Sequence, residues 1–187
     1  MTILLTMLSV SYPTKLMALP EDLAKESVVL SNILSDGYAK FYPEQSQVVE
    51  IPSYPSLGFK SGVAVLMSMG GWAGGNTNSQ HIAVYAVNED LKLGKAPKKY
   101  RLISFKKVSG KGDRLFTTLS YENQALVLSG FGYGELDGLC CPSLPINLML
   151  TIGDRGDLKE SINSTTQKIS ISKRTIGLAC SNAKKSA

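Results

Sequence analysis

A Ser-His-Asp or Cys-His site in this chain must include His81, because it is the only histidine in the sequence. Asp137, Ser143 and Cys141 are the residues that would complete it. They would supply a hydroxyl or thiolate nucleophile and a carboxylate to orient the imidazole base. Such a set would make an envelope hydrolase. No local pattern specifies it: there is no Gly-X-Ser-X-Gly turn, and Ser143 lies between Pro142 and Leu144. A solvated histidine at the start of a strand, after Ser79-Gln80, is the simpler reading, so no residue is assigned a catalytic role. His81 completes no zinc set by sequence spacing either, and no metal or cofactor is expected. The stretch from Gly70 to Asn78 is glycine-rich, but neither a helix start nor a Lys-Ser or Lys-Thr pair follows it. It is therefore not read as a phosphate cradle.

The three cysteines are Cys140, Cys141 and Cys180. In an oxidising compartment two of them pair. Neighbouring cysteines rarely bridge each other, because the small ring strains the peptide between them. The expected disulfide is therefore Cys180 with Cys140 or Cys141. Closing that loop of about 40 residues stabilises by roughly 3–4 kcal/mol on the chain-entropy account. The remaining thiol is read as a small buried hydrophobe rather than a redox centre, since Cys-Cys lacks the Cys-X-X-Cys spacing and no basic residue adjoins it.

The segment around this pair, Gly132-Tyr133-Gly134-Glu135-Leu136-Asp137-Gly138-Leu139-Cys140-Cys141-Pro142-Ser143, is the most distinctive in the chain. It resembles uncharacterised exported bacterial proteins carrying an acidic residue, two or three intervening residues, and then Cys-Cys-Pro-Ser or Cys-Cys-Pro-Thr. Those proteins also show an apolar strand, a glycine-rich turn and an Ala-Val-bearing strand upstream. Val63 to Leu66, Gly70 to Gly75 and Ile82 to Val87 follow that order here, so the resemblance spans roughly Gly62 to Thr151. It implies an extracytoplasmic β-rich domain and no established activity.

Three further places suit recognition. Trp72 and Asn76 sit in the glycine-rich stretch, and an exposed Trp there would anchor a partner. A Trp folded back over the end of a sandwich is the reading favoured by its usual burial. Eight of the 20 basic residues fall between Lys95 and Arg114: Lys95, Lys98, Lys99, Arg101, Lys106, Lys107, Lys111 and Arg114. Only Asp113 opposes them in that interval. A hairpin there would turn many of these to solvent, either to meet an anionic partner or to discourage sheet-to-sheet aggregation. Aromatic interleaving is thin, with Tyr100 and Phe105, which argues against nucleic acid. Asp137 is the third candidate, as the acidic member of the cysteine loop.

The elements that must position these residues are mostly strands. Pro20 to Leu34 has helical spacing, with Leu19, Leu23, Val29 or Leu30, and Ile33 or Leu34 on one face, and Asp36-Gly37 ends it. Strands are expected at Gln47–Ile51, Gly62–Met69, His81–Val87, Tyr100–Val108, Leu115–Tyr121, Gln124–Gly130 and Ile146–Ile152. A final one is expected over Lys168–Ser172, and Glu122-Asn123 reads as a tight hairpin turn. The fold class is mainly β: an antiparallel sandwich or barrel-like sheet with one N-terminal α-helix.

Length and composition set the frame. The chain has 187 residues, 43% apolar and only 19% charged, with a net charge of +5. That fits one β-rich domain over residues 19–182 with a loose tail at 183–187. Residues 1–18 read as a signal peptide, with an apolar run from Ile3 to Val10 and cleavage after Ala18. No basic residue precedes that run, and an ordinary first strand or helix is the competing reading. No run is long enough for a membrane span. The expected function is a periplasmic or secreted, non-enzymatic binding module of the inhibitor or immunity type. Its partner would be another protein or an anionic envelope component.

Overall fold

The computed structural model describes residues 18–72, 75, 78–88, 98–110, 112–138 and 141–162. Most of the expected signal segment, the strand over 168–172 and the tail 183–187 lie outside them.

Helix α1 spans Glu21–Ser35. Glu21 and Asp22 occupy its first turn, where negative charge meets the positive end of the helix dipole. It ends where Asp36 adopts a left-handed φ of 50° and the Gly37 N–H donates to the Asn32 carbonyl at 2.9 Å. Leu23 and Leu30 are buried and Leu34 is half-buried, whereas Val29 and Ile33 are exposed. Ser27, Ser31 and Ser35, one turn apart, are also buried. Small residues at that spacing let the helix lie close on the sheet beneath it.

The first sheet holds β1 (Lys40–Phe41), β2 (Gln47–Ile51), β3 (Gly62–Gly70), β4 (Asn78–Val87) and β5 (Tyr100–Ser109). β1 and β2 both pair with β3, then come β4 and β5, and every pairing is antiparallel. The second sheet is a meander of β6 (Arg114–Glu122), β7 (Ala125–Gly132), β8 (Leu144–Ile152) and β9 (Leu158–Ile162), again antiparallel. The two sheets stack as an open sandwich and do not close into a barrel.

Strand alternation sorts side chains between two cores. Ala64, Leu66, Ile82 and Val84 face the second sheet, meeting Phe116, Leu126, Leu128, Leu148 and Leu150. Val63, Val65, Met67, Ala83 and Tyr85 face the other way and pack with Leu23 and Leu30 of α1. The order is therefore helix, sheet, sheet. Side-chain amides bolt the two sheets together. Gln80 donates to the Phe116 carbonyl and accepts from the Phe116 N–H, both at 2.8 Å. Gln47 donates to the Thr117 carbonyl and accepts from the Leu119 N–H at 2.8 Å. The pairing of β6 with β7 shifts register between Phe116 and Thr118. There a Cβ on Gly130 would collide with the Leu115 carbonyl and the Phe116 Cα.

Two local expectations are corrected. The hairpin between β6 and β7 turns on Asn123-Gln124, one residue later than expected, with φ of 49° and 63°. Two consecutive left-handed residues are what a type I′ turn requires, and Asn tolerates that region well. β9 follows the Gly153–Asp157 turn, where the sequence pattern predicts no strand. Its centre is Lys159-Glu160, and charged residues hid the strand pattern.

Candidate functional site

The connection from β7 to β8 carries the cysteine motif, and one side chain shapes it. Asp137 Oδ2 accepts from the Gly134 N–H at 2.7 Å and from the Ser143 N–H at 2.8 Å. The Ser143 hydroxyl donates to the same carboxylate, 2.8 Å from Oδ1 and 3.0 Å from Oδ2. The Asp137 N–H in turn donates to the Gly134 carbonyl at 3.1 Å, and the Cys141 N–H to the Gly138 carbonyl at 3.0 Å. The loop is thus two successive turns drawn together at their base by a carboxylate. The Gly134 amide, and then the Ser143 hydroxyl and amide, hold the Asp137 carboxyl below the usual carboxylate range against a small opposing effect of burial.

Leu136, at the crown of this loop, is 100% exposed. Beside the loop, Leu115, Phe131 and Pro145 stand opposite one another on β6, β7 and β8 and point away from the core. All three are exposed, as is Leu144. Among the described residues no helix or strand covers this face. The next rows along it carry Thr118, Ser129 and Asn147, then Ser120, Val127 and Met149.

The structure brings Asp137 and Ser143 together and leaves His81 elsewhere. His81 lies on β4 opposite Met67 and Lys107, on the helix side of the first sheet. It is buried, and its Nδ1 has no hydrogen-bond partner. Burial, helped by the Lys107 charge, pushes its pKa down to about 4. A carboxylate at hydrogen-bond distance would push it the other way. On the same face, burial raises the Tyr85 phenol to about 12. The Ser27 hydroxyl stands close enough to offset part of that rise, yet no hydrogen bond of ordinary geometry closes between the two.

The basic residues divide. Lys98 Nζ lies 2.9 Å from Glu26 of α1. Lys106 donates to the Leu158 carbonyl at 3.2 Å and lies 3.8 Å from Glu160, which also pairs with Arg114 at 3.0 Å. Sequence order placed only Asp113 against these cations, whereas the fold brings Glu26 and Glu160 to them. Lys99 lies over the Tyr100 ring at 5.4 Å. Arg101 and Lys107 are exposed. Trp72, in a short turn after β3, is half-buried, and its carbonyl accepts from the Gly75 N–H at 2.9 Å. Asn76, Lys95, Lys111, Cys140 and Cys180 lie outside the described residues, and with them the expected disulfide. Cys141 is exposed.

Two clefts flank α1. One of about 490 Å³ touches Val28, Asn32, Tyr38, Phe41 and Gly71 at its C-terminal end. The other, about 680 Å³, touches Pro20, Val48, Glu50, Val87 and Tyr100 at its N-terminal end. Neither gathers an acid, a base and a nucleophile. Among the described residues no three His, Cys, Asp or Glu side chains come together as a metal site would need. No helix there is long and apolar enough to cross a membrane.

Sequence reasoning named Asp137 but missed Leu136, Leu115, Phe131 and Leu144. The available signal was an apolar residue inside a turn sequence, Glu135-Leu136-Asp137-Gly138, where burial is not expected. No family model, no curated protein and no solved structure matches the chain.

Proposed function

We propose that the chain is a non-enzymatic, extracytoplasmic binding module, of inhibitor or immunity type, that grips a partner protein with the Gly132–Ser143 loop and the row Leu115, Phe131 and Pro145. One observation carries this reading: Leu136 is wholly exposed on a loop already fixed by Asp137. A fixed loop loses little conformational freedom on docking, so burial of its apolar crown is retained as affinity. Burying one leucine is worth roughly 1.5–3 kcal/mol. The adjoining exposed row extends the anchor into a patch of the kind that marks protein contacts. The hydrolase alternative has less support, because His81 points to the helix side while the Ser143 hydroxyl already donates to Asp137.

The test is affinity capture of the tagged protein from its own cell envelope, alongside Leu136→Asp and Phe131→Asp variants with unchanged circular dichroism. A stoichiometric protein partner lost in both variants is the expected result. An empty capture, or one that both variants retain, overturns the proposal.

A further inference from the structure

A second surface lies across the sandwich from that loop, between α1 and β5. Glu26, Val29 and Ile33 fall at spacings of three and four residues, one stripe of the helix. Glu26 pairs with Lys98, two residues before β5, so this stripe looks toward β5. Val29 and Ile33 are exposed, Ile33 at 69%. From β5, Leu102 and Phe105 stand opposite Tyr85 and Ala83, which pack on the helix side of the sheet. Both are exposed, Phe105 at 49%. Four large apolar side chains therefore line the two sides of a groove. β5 is also a sheet edge: among the described residues no strand pairs with its far side.

Charge decides the occupant. The Lys98–Glu26 pair cancels itself and Lys106 is held by Glu160, which leaves Lys99, Arg101 and Lys107 against Asp22. A second copy would set like charge against like. The chain's own first 17 and last 25 residues contain no Asp or Glu. An anionic lipid surface would answer the charge but leave the edge N–H and C=O groups of β5 without partners. An extended polypeptide satisfies both.

We propose that this groove binds an extended acidic segment of another protein, added as a strand to β5. Its alternate apolar side chains sit between Val29, Ile33, Leu102 and Phe105, and its carboxylates, on the other face of the strand, reach Arg101, which stands opposite Ala86 on the side of the second sheet. This site stands independently of the Gly132–Ser143 loop.

The experiment is a nuclear magnetic resonance titration of the isotope-labelled full chain. The probes are a short peptide alternating Glu with Ile and Phe, its Lys counterpart, and anionic phospholipid vesicles. The acidic peptide is expected to shift the amides from Arg101 to Lys107 and to slow their hydrogen exchange. Its affinity should fall about tenfold in Phe105→Asp and in Ile33→Asp. Both positions are exposed, so the fold should survive, and a preserved spectrum checks it. Arg101→Glu should weaken binding severalfold, and Leu136→Asp should leave it unchanged. Equal binding of the Lys peptide, shifts confined to the Gly132–Ser143 loop, or binding of vesicles without the acidic peptide overturns the proposal.

Discussion

The two sheets differ in how many faces they bury. β3 and β4 are covered on one side by the second sheet and on the other by α1, so nearly every residue from Gly62 to Ala86 within those strands is buried. β6, β7 and β8 bury one face and leave the other open, where Leu115, Phe131 and Pro145 meet solvent beside threonine, serine and asparagine. A strand covered twice must be apolar throughout, and its substitutions are constrained by volume. A strand covered once has a face that packing does not dictate. On that open face, residue choice is left to recognition, and the proposed docking loop springs from it.

The comparison predicts an ordered set of effects. Leu23→Ala, which hollows the core between α1 and the first sheet, should destabilise by about 3 kcal/mol in chemical denaturation. Val127→Ala, half-buried on β7, should cost less than about 1 kcal/mol; equal losses would show that the two faces are packed alike.

Acid should act through the doubly covered sheet. His81 is neutral when buried, with a pKa of about 4, against 6.5 for the ordinary imidazole. Above pH 6.5 neither state is protonated there, so the group contributes no pH dependence. As pH falls from 6.5 to 4, the unfolded chain takes up a proton that the folded chain refuses, and stability drops by roughly 3 kcal/mol. Below pH 4 this contribution is flat. Subtracting the curve for His81→Leu should remove that slope; an unchanged slope would show that His81 is not the group responsible.

A smaller loss is expected where the sheets are joined. Gln80→Leu leaves the Phe116 N–H and carbonyl without their partner in a buried setting, at a cost of about 2 kcal/mol. A loss below a few tenths would mean that water replaces the amide.

The same contrast explains how much was legible in the sequence. The unbroken apolar runs of β3 and β4 and the alternation of β7 gave away both sheets. Pro20, Asp36 and Gly37 marked the helix ends. β9 was hidden because Glu160 faces inward yet is charged, its partners Lys106 and Arg114 lying dozens of residues upstream. Lys106 read as solvent-facing for the same reason. The roles of Asp137 and Ser143 required knowing that the loop folds back on itself, which a spacing of six residues does not specify. Val29 and Ile33 looked like alternatives to Leu30 and Leu34, whereas they form a second stripe on the same helix.

The order of strands has a consequence for how the molecule comes together. Every strand pairs with one at most two positions away in the chain, and no strand of one sheet is inserted into the other. Each sheet can therefore zip up from short hairpins, with little loop-closure entropy to overcome at any step. The long-range event is the docking of two finished meanders across the Gly110–Asp113 turn. A chain cut at that turn should yield two fragments that find each other, with Gln47 and Gln80 setting the register of their reunion.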